Sequence, residues 1–176
     1  MAKSIKLKDN TYIDSAGVSH NRETLKSLLD KLVVPAYIKV RQTTSQSRST
    51  VGSLVVDFQV VDYNVGDCFS LSNGKVKITS DTVHHVKVHT EIWVERGGTS
   101  YAWCHITKNG NDLNSYMIPH KNDGEPWQSV SMDVIVAVSK NDVIYPYVYF
   151  NQAHADNSVK GGTYGNSVFM TVEKID

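Results

Sequence analysis

From Leu54 to Lys174 the chain is cut into short extended stretches by pairs of turn-forming residues, and nothing between them keeps a helical spacing. The stretches are Leu54–Val61, Asp67–Leu71, Lys75–Thr79, Val86–Glu95, Tyr101–Lys108, Asn114–Ile118, Val130–Ser139, Val143–Phe150 and Ser167–Lys174. The separators Asn64-Val-Gly66, Asn73-Gly74, Gly97-Gly98, Asn109-Gly110 and Asn122-Asp-Gly124 suit positive φ or tight reversal. Roughly nine strands so punctuated predict an all-β fold, an antiparallel jelly-roll β-sandwich.

Gln128 to Phe150 shows the pattern most clearly. Side chains alternate across a strand, so Val130, Met132, Val134, Val136 and Val138 share one face, a core face. Ser139-Lys-Asn-Asp142 turns the chain. The next strand sets Ile144, Val148 and Phe150 against Tyr145, Tyr147 and Tyr149, which gives it two greasy faces. The tyrosine face is therefore expected against another sheet or another subunit. Pro146 argues for an edge or a bulge, because proline has no N–H to give to the ladder.

Residues 1–34 read as a separate small module. Ile5 and Leu7 alternate with lysines, Asp9-Asn10 turns, Tyr12-Ile13 resumes, and Ser15-Ala-Gly17 turns again. A helix is expected next, with Asn21 as its N-cap, Glu23 in its first turn, and Leu25, Leu28, Leu29 and Leu32 on one face before Pro35. So short a helix is marginal alone, and its stripe needs the preceding hairpin or copies of itself. Residues 35–52 read as a connection: Ala36 to Val40 suits a first strand, and Arg41 to Thr50 is polar and expected as a loop or mobile link. The sandwich is expected over 53–176.

Eighteen basic residues balance eighteen acidic ones, so no basic excess points to nucleic acid. The N-terminus lacks a signal peptide's apolar run and no stretch has membrane-spanning length, so a soluble product of the cytosol is expected. Cys68 and Cys104 lie in separate strands without metal-ligand spacing; reduced thiols are expected, with pairing as the alternative. His85 and His89 share a face, but four residues of strand separate them by about 13 Å, so a metal shell would need His105 or a second subunit. Asn109-Gly-Asn-Asp112 and Asn122-Asp-Gly-Glu125 offer oxygens to calcium, yet both are explained as turns. No cofactor is expected. No nucleophile elbow or other catalytic motif is present, and Gly161-Gly162 and Gly165 read as a flexible loop, so no enzyme is expected. Trp93, Trp103, Trp127 and the tyrosine row are the better lead, since rings of this kind serve subunit contacts and sugar sites alike.

Three motifs together resemble the trimeric jelly rolls of the complement globular head and tumour necrosis factor class, in the version carried by phage and prophage structural proteins. They are Val65-Gly-Asp-Cys-Phe-Ser-Leu-Ser-Asn-Gly-Lys-Val-Lys-Ile78 with the long strand Val83–Glu95 after it, Trp103-Cys-His-Ile-Thr-Lys-Asn-Gly110, and Val138-Ser-Lys-Asn-Asp-Val143, where Asn141 replaces the family's usual glycine. The closing strand, Ser167 to Ile175, is similar too, so the resemblance covers about residues 50–175. The opening, Ser4 to Leu29, resembles the N-terminal segment of tail and fibre proteins of phages infecting Gram-positive bacteria.

The resemblance implies a virion structural protein assembled in the bacterial cytoplasm: a homotrimeric tail or head fibre, decoration or receptor-binding head, held to the particle by residues 1–34. The expected trimer interface is Tyr145, Tyr147 and Tyr149, with Leu25, Leu28, Leu29 and Leu32. A host glycan, if bound, is expected on the loops Asp112–Trp127 and Gln152–Asn166, through Trp127 and Tyr164 as stacking faces and Asn122, Asp123, Asn157 and Asn166 as hydrogen-bonding groups. The alternative is a free jelly-roll carbohydrate-binding module or glycan hydrolase.

Overall fold

The computed structural model describes residues 11–13, 19–21, 36–97, 101–118, 127–162 and 168–175. The chain divides into two compact units, Met1–Val34 and Pro35–Asp176. In the first, β1 (Thr11–Ile13) and β2 (Ser19–Asn21) pair antiparallel, with Ile13 opposite Ser19. Asn21, expected as a helix cap, ends β2 opposite Thr11. The expected helix, with Leu25, Leu28, Leu29 and Leu32, lies outside the described residues.

The second unit is a sandwich of two antiparallel sheets. Sheet one contains β3 (Tyr37–Arg41), β4 (Gln46–Ser47), β6 (Val60–Val65), β9 (His85–Glu95), β12 (Trp127–Ala137), β14 (Ser158–Val159) and β15 (Phe169–Lys174), in the order β4-β14-β9-β15-β3-β6 with β12 on the other side of β9. Sheet two runs β11-β10-β13-β8-β7, made of β11 (Asn111–Ile118), β10 (Ala102–Lys108), β13 (Val143–Phe150), β8 (Lys75–Ile78) and β7 (Phe69–Ser72), with β5 (Gly52–Val55) also on β13. This is a jelly roll. Among the described residues no helix is long and apolar enough to cross a membrane.

Strand alternation explains the core. Val86, Val88, Ile92 and Val94 of β9 are fully buried, as are Ile144, Val148 and Phe150 of β13 and Ile38 and Val40 of β3. Each such side chain contributes roughly 1.5–3 kcal/mol of transfer free energy. Cys68 and Cys104 sit in this core as free thiols.

Three local expectations fail, each for a tertiary reason. Pro146 lies in a central strand, flanked by β10 on one side and by β8 and β5 on the other. Its carbonyl accepts from Val56 N at 3.0 Å, so its missing N–H would point the same way, into the gap between Val76 of β8 and Val55 of β5. Leu54–Val61 is not one strand: the chain leaves sheet two after Val55 and enters sheet one at Val60. The crossing buries Val56 and Phe58, and Gly74 beside Asp57 takes the left-handed backbone at φ 71°, which favours glycine.

Arg41 to Thr50, expected as a loop or mobile link, is largely irregular but bound into the second unit. Gln42 is buried, and its Nε2 donates to the carbonyls of Thr44 (2.7 Å) and Val159 (3.3 Å). Arg48 N donates to Asn157 O, and Gly161 presses so close to the Thr44 backbone that a Cβ would lie 2.4 Å from its carbonyl oxygen.

Candidate functional site

Each sheet has an outer face, and both carry large apolar side chains. On sheet two the register sets Trp103 opposite Tyr149, His105 opposite Tyr147 and Thr107 opposite Tyr145. The rings meet in rows. Trp103 and Tyr149 lie 5.8 Å apart, Tyr101 packs edge-on against Trp103 at 5.0 Å, and His105 stacks on Tyr147 at 4.4 Å and 8°. The Lys75 ammonium stands 4.1 Å above the Tyr145 ring.

Asp112 closes the middle of this face. Tyr147 OH donates to its Oδ2 at 3.1 Å, and His105 Nδ1 lies 3.1 Å from the same oxygen without hydrogen-bond alignment. Burial, together with the bond to Asp112 and the nearby carboxylate charge, pushes the Tyr147 phenol up to about 12. Tyr147 is therefore a neutral donor throughout the physiological range. His105 and Asp112 were not singled out for this face, although period-two alternation of Trp103 and His105 does place both rings on one side.

The turn before β13 is clasped to the β10–β11 turn. Asn109 Nδ2 donates to Asp142 Oδ1 at 2.7 Å, Asn109 Oδ1 accepts from Val143 N, and Asp142 Oδ2 accepts from Ser139 N. Asn141 takes the left-handed backbone at φ 75°, supplying what the usual glycine would. Burial would raise the Asp142 carboxyl, but the Asn109 amide, the Ser139 N–H and Lys108 outweigh it and hold the group below its ordinary value.

Sheet one presents another surface. Ile135 is 64% exposed, Tyr63 59%, Trp93 38% and Tyr37 37%, and register places them on its outer face. Polar groups lie between them: Asp133 stands 3.2 Å from His89 Nδ1 and 3.8 Å from Lys87 Nζ, and Lys39 caps the Phe169 ring at 4.6 Å. Among the described residues β12 pairs only with β9, and on its far edge Asn114 Nδ2 donates to the Asp133 carbonyl.

The remaining sequence candidates separate. His85 and His89 lie on β9 in sheet one and His105 on β10 in sheet two, so no shared metal shell forms. Among the described residues no three His, Cys, Asp or Glu side chains converge on a metal position. Asn157 is buried, a correction to its expected place on a binding surface: its Oδ1 accepts from Gly97 N and its Nδ2 donates to Gln152 O, which braces the chain before β14. Trp127 begins β12 opposite Glu95. Asn122, Asp123, Tyr164 and Asn166 lie outside the described residues. Asp112 belongs to β11, and the loop expected from Asp112 begins only after Ile118.

No protein-family model and no curated protein matches the sequence. Among solved structures the chain is similar to crystal forms of murine APRIL at pH 8.5 (TM-score 0.59, 11% identity), pH 8.0 (0.58, 10%) and pH 5.0 (0.61, 10%), each match covering 80% of this chain and 99% of the other. At that identity the likeness shows the fold, a tumour-necrosis-factor-like jelly roll.

Proposed function

We propose that the chain is the subunit of a homotrimeric virion head of phage origin, a fibre, decoration or receptor-binding domain carried to the particle by its N-terminal module. The observation that carries this proposal is a sandwich with large apolar side chains on both outer faces, where a solitary sandwich needs them only inside. The tumour-necrosis-factor-like fold supports self-association, and the motifs at the N-terminus support the phage assignment.

Of the two faces, that of sheet one is the stronger contact. Ile135 is the most exposed large apolar side chain among the described residues, where its strand β12 pairs only with β9. The tyrosine row, expected from the sequence, is the second candidate; its rings are half-buried and already stacked on His105 and Trp103 or capped by Lys75. Light scattering on the purified chain tests the proposal: three times the 19.6 kDa chain mass is expected, and a monomer at micromolar concentration that binds and cleaves a soluble oligosaccharide would overturn it in favour of a free glycan-active module.

A further inference from the structure

On the outer face of sheet two, beyond the stacked rings, a cleft of about 470 Å³ runs between the β7–β8 turn and the turn before β13, with Lys75, Lys77, Tyr145, Asn73, Asn141 and Ser72 on its walls. Its size falls in the range of small-ligand sites. Lys75 and Lys77 are two residues apart on one strand face, so their stems rise roughly 7 Å apart. Lys87, Lys108, Lys140 and Lys160 each face a carboxylate. Lys75 and Lys77, like Lys39 and Lys174, face no carboxylate among the described residues, but only Lys75 and Lys77 line this cleft.

Of the nearby carboxylates, Asp142 is held by Asn109, Ser139 and Lys108. Asp57 lies beside Gly74 of the β7–β8 turn. Lys75 rests on the Tyr145 ring, but neither ammonium has a carboxylate to offset its charge, so the two repel each other and an anion between them relieves that repulsion. Around them stand groups that read hydroxyls: the Asn73 and Asn141 amides, held by left-handed backbone at φ 49° and 75°, and the Ser72 hydroxyl.

We infer that this cleft binds an acidic saccharide, its anionic group between Lys75 and Lys77 and its hydroxyls on Asn73, Asn141 and Ser72. The inference rests on the reading of the chain as a binding head, but it moves the glycan site from the loops to a sheet face. The anion has two chemical sources, the carboxylate of a uronic acid or the phosphate of a sugar-phosphate polymer.

The test is a titration of the isotope-labelled full chain with glucuronate, glycerol phosphate and, as a neutral control, glucose, at matched ionic strength. Saturable shifts at the amides of Asn73–Lys77 and Asn141–Tyr145 are expected with an acid and not with glucose. A response to glucuronate alone assigns the carboxylate source, one to glycerol phosphate alone assigns the phosphate source, and either upholds the site. Lys77→Gln, and separately Lys75→Gln, should weaken binding roughly tenfold, the loss of one charge-assisted contact. The site is overturned if neither acid shifts these amides, if glucose shifts them equally, or if both variants bind like the parent chain. Subunit mass measured on the same samples keeps the outcomes apart: a trimer without acid binding overturns the cleft alone.

Discussion

Asp142 carries more of the sandwich's end than its small, largely buried side chain suggests, because its two oxygens fasten the turn before β13 to Asn109 and Ser139. Asp142→Ala leaves those donors unpaired and should cost about 1–3 kcal/mol in chemical denaturation. The pH dependence follows from its direction of shift. A carboxyl held below its ordinary value in the folded chain stabilises fully above the unfolded value of 3.8, and that contribution is lost as pH falls through the folded value. Denaturation midpoints of parent and Asp142→Ala should therefore converge in acid; a difference that stays constant to the lowest pH would remove the clasp's charge from the account. The cysteines give a second test at this scale. Burial pushes the Cys104 thiol up to about 12, and both thiols are enclosed, so neither should react with an aromatic disulfide reagent until the chain unfolds. Rapid labelling of the native protein would contradict that.

Among the elements, β3 decides where the second unit begins. It lies between β15 and β6, with Val172 opposite Ile38, and its buried residues Ile38 and Val40 complete the core of sheet one. A chain starting near Thr50, close to the expected sandwich boundary at 53, would delete β3 and β4 and expose the faces they cover. A chain starting at Pro35 should keep a cooperative β transition in circular dichroism, whereas one starting at Thr50 should aggregate or lose it. Equal stability of the two would mean β3 is dispensable. The polar run Arg41 to Thr50 concealed this role because its ties are a buried amide and backbone bonds to residues 157–162, which hydropathy does not register.

For the whole molecule the open contrast is between two outer faces, and single charges separate them. Ile135→Glu and Tyr147→Glu both place a carboxylate on a solvent-facing side of the monomer, so the fold should survive each. If the sheet-one face is the contact, Ile135→Glu should give monomers by light scattering while Tyr147→Glu stays trimeric; the opposite result would return the contact to the tyrosine row. The alternation of side chains and the Asn-Gly turns determined by themselves that the chain is a sandwich, that Ile144, Val148 and Phe150 lie opposite Tyr145, Tyr147 and Tyr149 on β13, and that those three tyrosines share a face, because period two and positive φ are local properties of the chain. Only the tertiary structure decided that Pro146 fits a central strand, that Val56 to Gln59 cross between sheets, that Asn157 is a buried brace, and that Lys75 and Lys77 share a cleft with Asn141. Each of these depends on residues distant in sequence meeting across a gap, a crossing or a turn, and no window of the chain contains both partners.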